Sequence, residues 1–318
     1  MNEKTKQAVQ ENLFHAARLA IKDWESFPWH RDGNGKCDTW KLHSSQALAI
    51  DVFGSLKSAS HSMRTSILDR FASSIGLPAG GPWCVDLEWQ DPENRLREKT
   101  KTQVDAMARS PNCVILFECK FTETEAGSCS QTQSLMRKNG TLGPKQCNGN
   151  YEIQVNPVNA IENHCVLSGK GIRYWEIIPE AFWYDANISH IPCPFRGDFF
   201  QLMRNVVLAW QIAQDERVTP AFVTIYADSP MLPFPEWIGS PEWQRFTQSL
   251  RPQQIVCRAV SYQAFIDLAI RTVEDAGEAS SLWRELGAWI DRKLTTVVAT
   301  RSSPPAKSSR TRTPKTAS

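Results

Sequence analysis

The chain has 318 residues, with 36 Lys and Arg against 34 Asp and Glu and a formal net charge of +2. Hydrophobic residues make up 41% and charged residues 22%, a globular balance that excludes a wholly disordered chain, a fibre or a uniformly basic nucleic-acid coat. The charge is uneven: residues 301–318 hold Arg301, Lys307, Arg310, Arg312 and Lys315 and no acid, so residues 1–300 carry about −3.

Residues 4–25 read as a helix, with Leu13, Ala16, Ala17 and Ala20 at helical spacing. Residues 27–43 form a loop rich in Gly, Asp and His. Ser44 or Ser45 caps a second helix striped by Leu48, Val52 and Leu56. A third helix is expected from Met63 to Ile75, stopped by Gly76 and Pro78. Strands are expected at Trp83–Trp89, Gln103–Ala108 and Cys113–Phe121, the last two joined by the turn Arg109-Ser110-Pro111-Asn112. Residues 122–150 are rich in Gly, Ser, Thr, Gln and Asn, too long for a plain connection, and so functional or mobile. Beyond them a helix spans 198–215, with Phe199, Leu202, Val206, Ala209 and Trp210 inward. Strands Ala221–Ala227 and Ile255–Val260 and helices Tyr262–Val273 and Ser281–Leu294 complete the pattern.

Helices around a central group of strands indicate an α/β fold. The expected organisation is one α/β domain over residues 1–298, with N-terminal helices and the long 122–150 loop, then a disordered basic tail at 299–318. No apolar run approaches the ~20 residues of a membrane span. The polar N-terminus has no signal-peptide core. Nine cysteines in a long chain read as reduced thiols, and the expected compartment is the cytoplasm. Twelve tryptophans are read chiefly as core packing.

The sharpest signal is residues 103–123. In Cys113–Phe121 the odd positions are apolar throughout, while the even positions run Val114, Leu116, Glu118, Lys120. A strand apolar on both faces lies in the middle of a covered sheet, so the two charges sit at its rim. If residues 109–112 form the turn, Ala108 faces Cys113 and Asp105 faces Leu116, which sets Asp105 diagonal to Glu118, roughly 7–8 Å away. A slip of one residue would send Asp105 to the other face. Two carboxylates there suit Mg²⁺ or Mn²⁺, with the Cys119 carbonyl as a third hard ligand. Such an ion activates water and neutralises charge at phosphorus. Lys120 can orient or help deprotonate the water and stabilise the pentavalent state. The plainer alternative is a strand-end ion pair of Lys120 with Glu118 or Asp105.

Asp105, then Glu118-Cys119-Lys120 across a hairpin, resembles the PD-(D/E)XK nuclease superfamily. The resemblance covers roughly residues 44–228. It implies a restriction-endonuclease-like central mixed sheet flanked by helices. It makes Asp105 and Glu118 metal ligands and Lys120 the catalytic lysine. Residue 104 is Val where that pattern often has Pro. SSQALAIDVFGSL (44–56) and CKFTE (119–123) are similar to a bacterial group of restriction-endonuclease-like proteins. Glu88, ending an upstream strand, is either a third carboxylate or a surface residue. Glu123 is placed to orient Lys120 or a water. Gln103 has the wrong parity for the face of Asp105. The resemblance also assigns Gln201, on the downstream helix, a contact with the site, although position 205 is Asn where the family has Tyr.

Cys129, Cys147, Cys165 and Cys193 lack CxxC spacing, so a zinc ribbon is excluded. Yet Cys129 and Cys147 lie in polar loop sequence. A structural Zn²⁺ is one reading, unpaired thiols the other. Some nucleases of the resembled superfamily carry a four-cysteine iron–sulfur cluster, at different spacing. Lys138, Lys145, Lys170 and Arg173 are candidate phosphate contacts, with solvated surface residues as the alternative. The function expected is metal-dependent hydrolysis of DNA, or secondarily RNA, contacted by loops in 122–150 and 229–245. A restriction, defence or repair role and a homodimer are implied by the resemblance alone. The rival readings are an inactive nucleic-acid-binding module of the same fold, a carboxylate-pair glycoside hydrolase with a Trp-lined cleft, and an interaction protein of a larger complex.

Overall fold

The structure is a computed structural model that describes residues 1–134, 136, 140–155 and 162–302. Helix α1 (Glu3–Glu11) starts where the Asn2 side chain accepts the Thr5 N–H at 2.8 Å. It stops well short of residue 25. The Asn12 amide donates to the Thr39 and Lys41 carbonyls, and the Phe14 N–H turns to the Asp51 carboxylate at 2.6 Å. These bonds divert the chain into a 3₁₀ turn at Ala17–Ala20, while Leu13, Ala16 and Ala17 stay buried as the spacing required.

The second expected helix forms in three pieces: α2 (Ser45–Ala49), a π turn (Ile50–Gly54) and α3 (Ser55–Ser58). Ser44 caps it, accepting from the Ala47 N–H. Gly54 is needed because a Cβ there would stand 3.0 Å from the Ala17 carbonyl oxygen. Helix α4 (His61–Ser74) follows, capped by Ser60 and ended at Gly76, whose φ is +86°.

The main sheet is built from β1 (Cys84–Gln90), β2 (Gln103–Arg109) and β3 (Cys113–Lys120), antiparallel in sequence. A small ribbon, β4 (Gln154–Val155) with β5 (Glu162–Asn163), then α5 (Val166–Gly169), α6 (Tyr174–Ala181) and α7 (Phe200–Glu216), lead to β6 (Thr219–Tyr226). The 229–245 stretch, expected as loop, is largely helical: α8 (Pro233–Ile238) and α9 (Pro241–Ser249) each start with Pro at the first helical position. Strand β7 (Val256–Ser261), α10 (Tyr262–Asp275) and α11 (Ser281–Ser302) close the fold. Residues 299–302, placed in the tail by composition, continue α11. Residues 303–318 lie outside the described residues.

Strand order is β1-β2-β3-β6-β7, with β3, β6 and β7 parallel, so the fold is α/β with a mixed five-stranded sheet flanked by helices. Every residue of β3 is buried. Its odd face packs with the N-terminal helices, α10 and α11 through contacts such as Phe53–Phe117, 4.5 Å between ring centroids. Its even face packs under α6, α7 and α9. Trp83 and Trp283 are fully buried, though Trp40 and Trp183 are exposed. Among the described residues no helix is long and apolar enough to cross a membrane.

Candidate active site at the end of the central strand

The β2–β3 register differs from the expected one by two residues. Ala108 faces Ile115 and Ala106 faces Phe117. The Ser110 N–H bonds the Cys113 carbonyl, so the turn sits at 110–113, one residue later in the chain than the tetrapeptide 109–112. A slip of two keeps each residue on its face, and continuing the register sets Asp105 directly across from Glu118 rather than diagonal to it. The ladder stops at Ala106, and the Asp105 carboxylate takes over as acceptor for the Cys119 N–H at 2.6 Å.

The alternation of β1 and β2 reverses at the same level. Leu87 and Ala106 face the N-terminal helices, whereas Trp89 and Val104 face the α7 side. Glu88 marks the reversal, with φ of 50° in the left-handed region. A long side chain held there is strained, which is a feature of functional sites. Gln103, set apart from the site by parity in the sequence reading, joins it instead, its amide donating to Glu88 Oε2.

Glu118 and Lys120 are buried, 5% and 6% exposed, with Lys120 Nζ 2.8 Å from Glu118 Oε1. Helix α7 completes the arrangement. Gln201 Nε2 donates to Glu118 Oε1 at 2.7 Å and Gln201 Oε1 accepts from Lys120 at 3.1 Å. Asn205, one turn on, donates to Glu118 Oε2 at 2.9 Å. Burial disfavours the Lys120 ammonium, but the charge and hydrogen bond of Glu118 outweigh it and raise the lysine pKa. Burial, then the charges of Glu118 and Glu88, push the Asp105 carboxyl well above the usual range, against the pull of the Cys119 N–H. Glu123 accepts the N–H groups of Phe121 and Thr122 and reaches Lys120 only through its charge.

His30 joins this group from the 27–43 loop. Its Nε2 lies 3.6 Å from Glu88 Oε2. Burial lowers its pKa, but Glu88 and Asp105 push it up to about 9. Gln46 holds the loop in place, accepting the His30 N–H at 2.8 Å and donating to the Pro28 carbonyl at 3.0 Å. The ligand atoms of His30, Glu88 and Asp105 lie within 4.8 Å of one another, a geometry open to a metal ion. Glu88 Oε1 is buried with no hydrogen-bond partner. A buried, unpartnered carboxylate oxygen is costly, and a hard cation relieves that cost. The donor set is therefore compatible with Mg²⁺ or Mn²⁺.

A protein family described as "Restriction Endonuclease associating with ARP" matches residues 2–282. The chain belongs to this family. No curated protein and no solved structure matches it. Membership of a restriction-endonuclease family accords with a nuclease-like role and with interaction with DNA.

Two members of the cluster, His30 and Asn205, were missed from sequence. The only signal for His30 was a loop rich in Gly, Asp and His. Asn205 was visible only as a departure from the family pattern.

The expected phosphate contacts are not gathered with these residues by any bond. Lys145 is exposed. Lys170 bonds Gln131 and Gln146, and Arg173 pairs with Glu176 at 2.6 Å. Lys138 lies outside the described residues. Cys129, Cys147, Cys165 and Cys193 instead line one cavity beside α7, together with Phe200 and Met203 of that helix.

Proposed function

We propose that this restriction-endonuclease family member hydrolyses DNA phosphodiester bonds with Mg²⁺ or Mn²⁺. The observation that carries the reading is the grouping of Glu88, Asp105, Glu118 and Lys120 at the carboxyl end of the buried strand, with one Glu88 oxygen unpartnered. Asp105, Glu118 and the Cys119 carbonyl would hold the cation, with Glu88 as a further carboxylate and His30 at its margin. When bound, the cation supplies a water of lowered pKa and neutralises charge on the phosphate.

The chain's own groups do the rest. Lys120, kept as an ammonium by Glu118, donates to the phosphoryl oxygens as negative charge develops on them. Gln201 holds both Lys120 and Glu118, so it fixes the distance between ammonium and carboxylate. Asn205 holds the second Glu118 oxygen. Glu123 fixes the backbone just beyond Lys120. Lys145, Lys170 and Arg173 are proposed as peripheral phosphate contacts.

The test is incubation with supercoiled, linear and single-stranded DNA, and with RNA, in Mg²⁺, Mn²⁺ or EDTA. Cleavage of DNA that needs either cation is expected, and an RNA-only activity would correct the substrate. DNA binding without cleavage under every cation would replace this reading with that of an inactive binding module.

A further inference from the structure

We infer that Cys129, Cys147, Cys165 and Cys193 hold a second, thiophilic metal centre, a zinc ion or an iron–sulfur cluster, that anchors α7. The inference stands on this cavity alone and does not rest on the nuclease reading.

The four thiols come from four separate chain segments, and each is free. They surround one cavity of about 30 Å³. Each sulfur interacts electrostatically with the other three. Convergence alone would suit a patch of small apolar side chains, but the polar surroundings argue otherwise. A backbone N–H from two or three residues further on lies near each of the four sulfurs. Near Cys129 these are the N–H groups of Gln131 and Thr132, and near Cys165 those of Leu167 and Ser168. Near Cys193 it is that of Phe195, and Cys147 accepts a hydrogen bond from the Gly149 N–H at 3.4 Å. The Gln154 amide adds a second bond to Cys147 at 3.8 Å. Gly149 can fold back in this way because its φ is +89°. A neutral thiol is a weak acceptor. Burial pushes the Cys129, Cys165 and Cys193 thiols up, and the nearby N–H groups act against it, on the side of the thiolate that a metal would take. Cys257, a buried core cysteine, has no such donor.

Two further observations point to an occupant. His164 lies on the cavity wall with its Nδ1 buried and without a hydrogen-bond partner. Among the described residues between Cys129 and Ile172, regular structure amounts to a 3₁₀ turn (Ser130–Thr132), the two-residue strands β4 and β5 and the single turn α5. A stretch so poor in secondary structure gains stability from a metal staple. Thiolates select zinc or iron–sulfur clusters over Mg²⁺. Among the described residues no three of these sulfurs lie within 4.8 Å of one another. A single zinc ion, with ~2.3 Å bonds that set sulfurs about 3.8 Å apart, would draw them inward; a cluster sets its ligands wider. Either centre displaces the thiol protons into solvent on binding.

The cage meets the other site through one helix. Phe200 and Met203 of α7 line the cavity, while Gln201 between them bonds Glu118 and Lys120. The Cys129 N–H bonds the Arg196 carbonyl just ahead of α7, and the Gln201 N–H bonds that of Gly127.

The test is zinc and iron content of the full chain, purified without chelator and without air, with a visible absorption spectrum. Either about one zinc per chain with no visible colour, or about four irons with broad visible absorption, is expected. Cys147→Ser with Cys193→Ser should lose that metal almost completely. Exposed Cys84→Ser and the carboxylate variant Asp105→Asn should keep it. Chelation should lower the melting temperature of the wild type. Wild-type protein with neither metal, metal retained by the double variant, or disulfides among these four cysteines in freshly prepared protein would overturn the inference. The wild-type content decides the matter even if the double variant does not fold.

Discussion

Both oxygens of Glu118 are occupied, one by Lys120 and Gln201 and the other by Asn205. That economy of partners sets the expected hierarchy of substitutions. On the proposed mechanism, Lys120→Ala removes the charge that meets the developing anion and should slow DNA cleavage about 100- to 1000-fold with unchanged circular dichroism. Asn205→Leu only releases a supporting bond and should cost about 10- to 100-fold, read as a loss of kcat or of apparent metal affinity. Equal activity in both variants and the wild type would remove Glu118 from the account. The grouping of Glu118 with Lys120 was legible because β3, apolar on both faces, leaves its charges at the end, and that of Asp105 because the hairpin carries β2 back to the same level. His30 was not, because a loop some 58 residues upstream of Glu88 brings it in, and single-sequence spacing carries no trace of that approach. Asn205 could be read only as a missing Tyr until its amide was seen on Glu118.

At the scale of elements, the sheet and most of the helices were legible from period and caps, and the errors have local causes. The register slipped by two because the turn falls at 110–113, one residue later than 109–112, yet the pleat preserved the face of Asp105. Helix α1 broke early because long-range partners took Asn12 and the Phe14 N–H, which no propensity encodes. Those partners lead to Asp51 on the π turn, fully buried and 2.6 Å from Lys293 of α11. The Trp289 indole N–H also reaches it, at 2.9 Å. Burial raises the Asp51 pKa, and Lys293 with its hydrogen bonds draws it back. Lys293→Met leaves that carboxylate buried without its cation and should cost about 3–5 kcal/mol in urea unfolding. Adding Asp51→Leu should restore much of the loss; if the double variant is as unstable as the single, the cost comes from packing instead.

Over the whole molecule, two helical layers cover the sheet, and charge is uneven along the sequence. The carboxylate cluster sits within a body of about −3, while four of the five basic residues beyond position 300 lie at Lys307, Arg310, Arg312 and Lys315. Truncation after Ser302 should weaken nonspecific DNA binding and flatten its salt dependence by at most about 4 in the log–log slope, with melting temperature unchanged. An unchanged slope would show that these charges do not meet DNA. The most direct test of the central claim is single-turnover cleavage of supercoiled DNA in Mn²⁺ by the wild type and by Asp105→Asn. Cleavage by the wild type, abolished by EDTA and slowed at least ~100-fold in the variant, is the predicted result. Cleavage that persists in EDTA, or at the wild-type rate in Asp105→Asn, would contradict it.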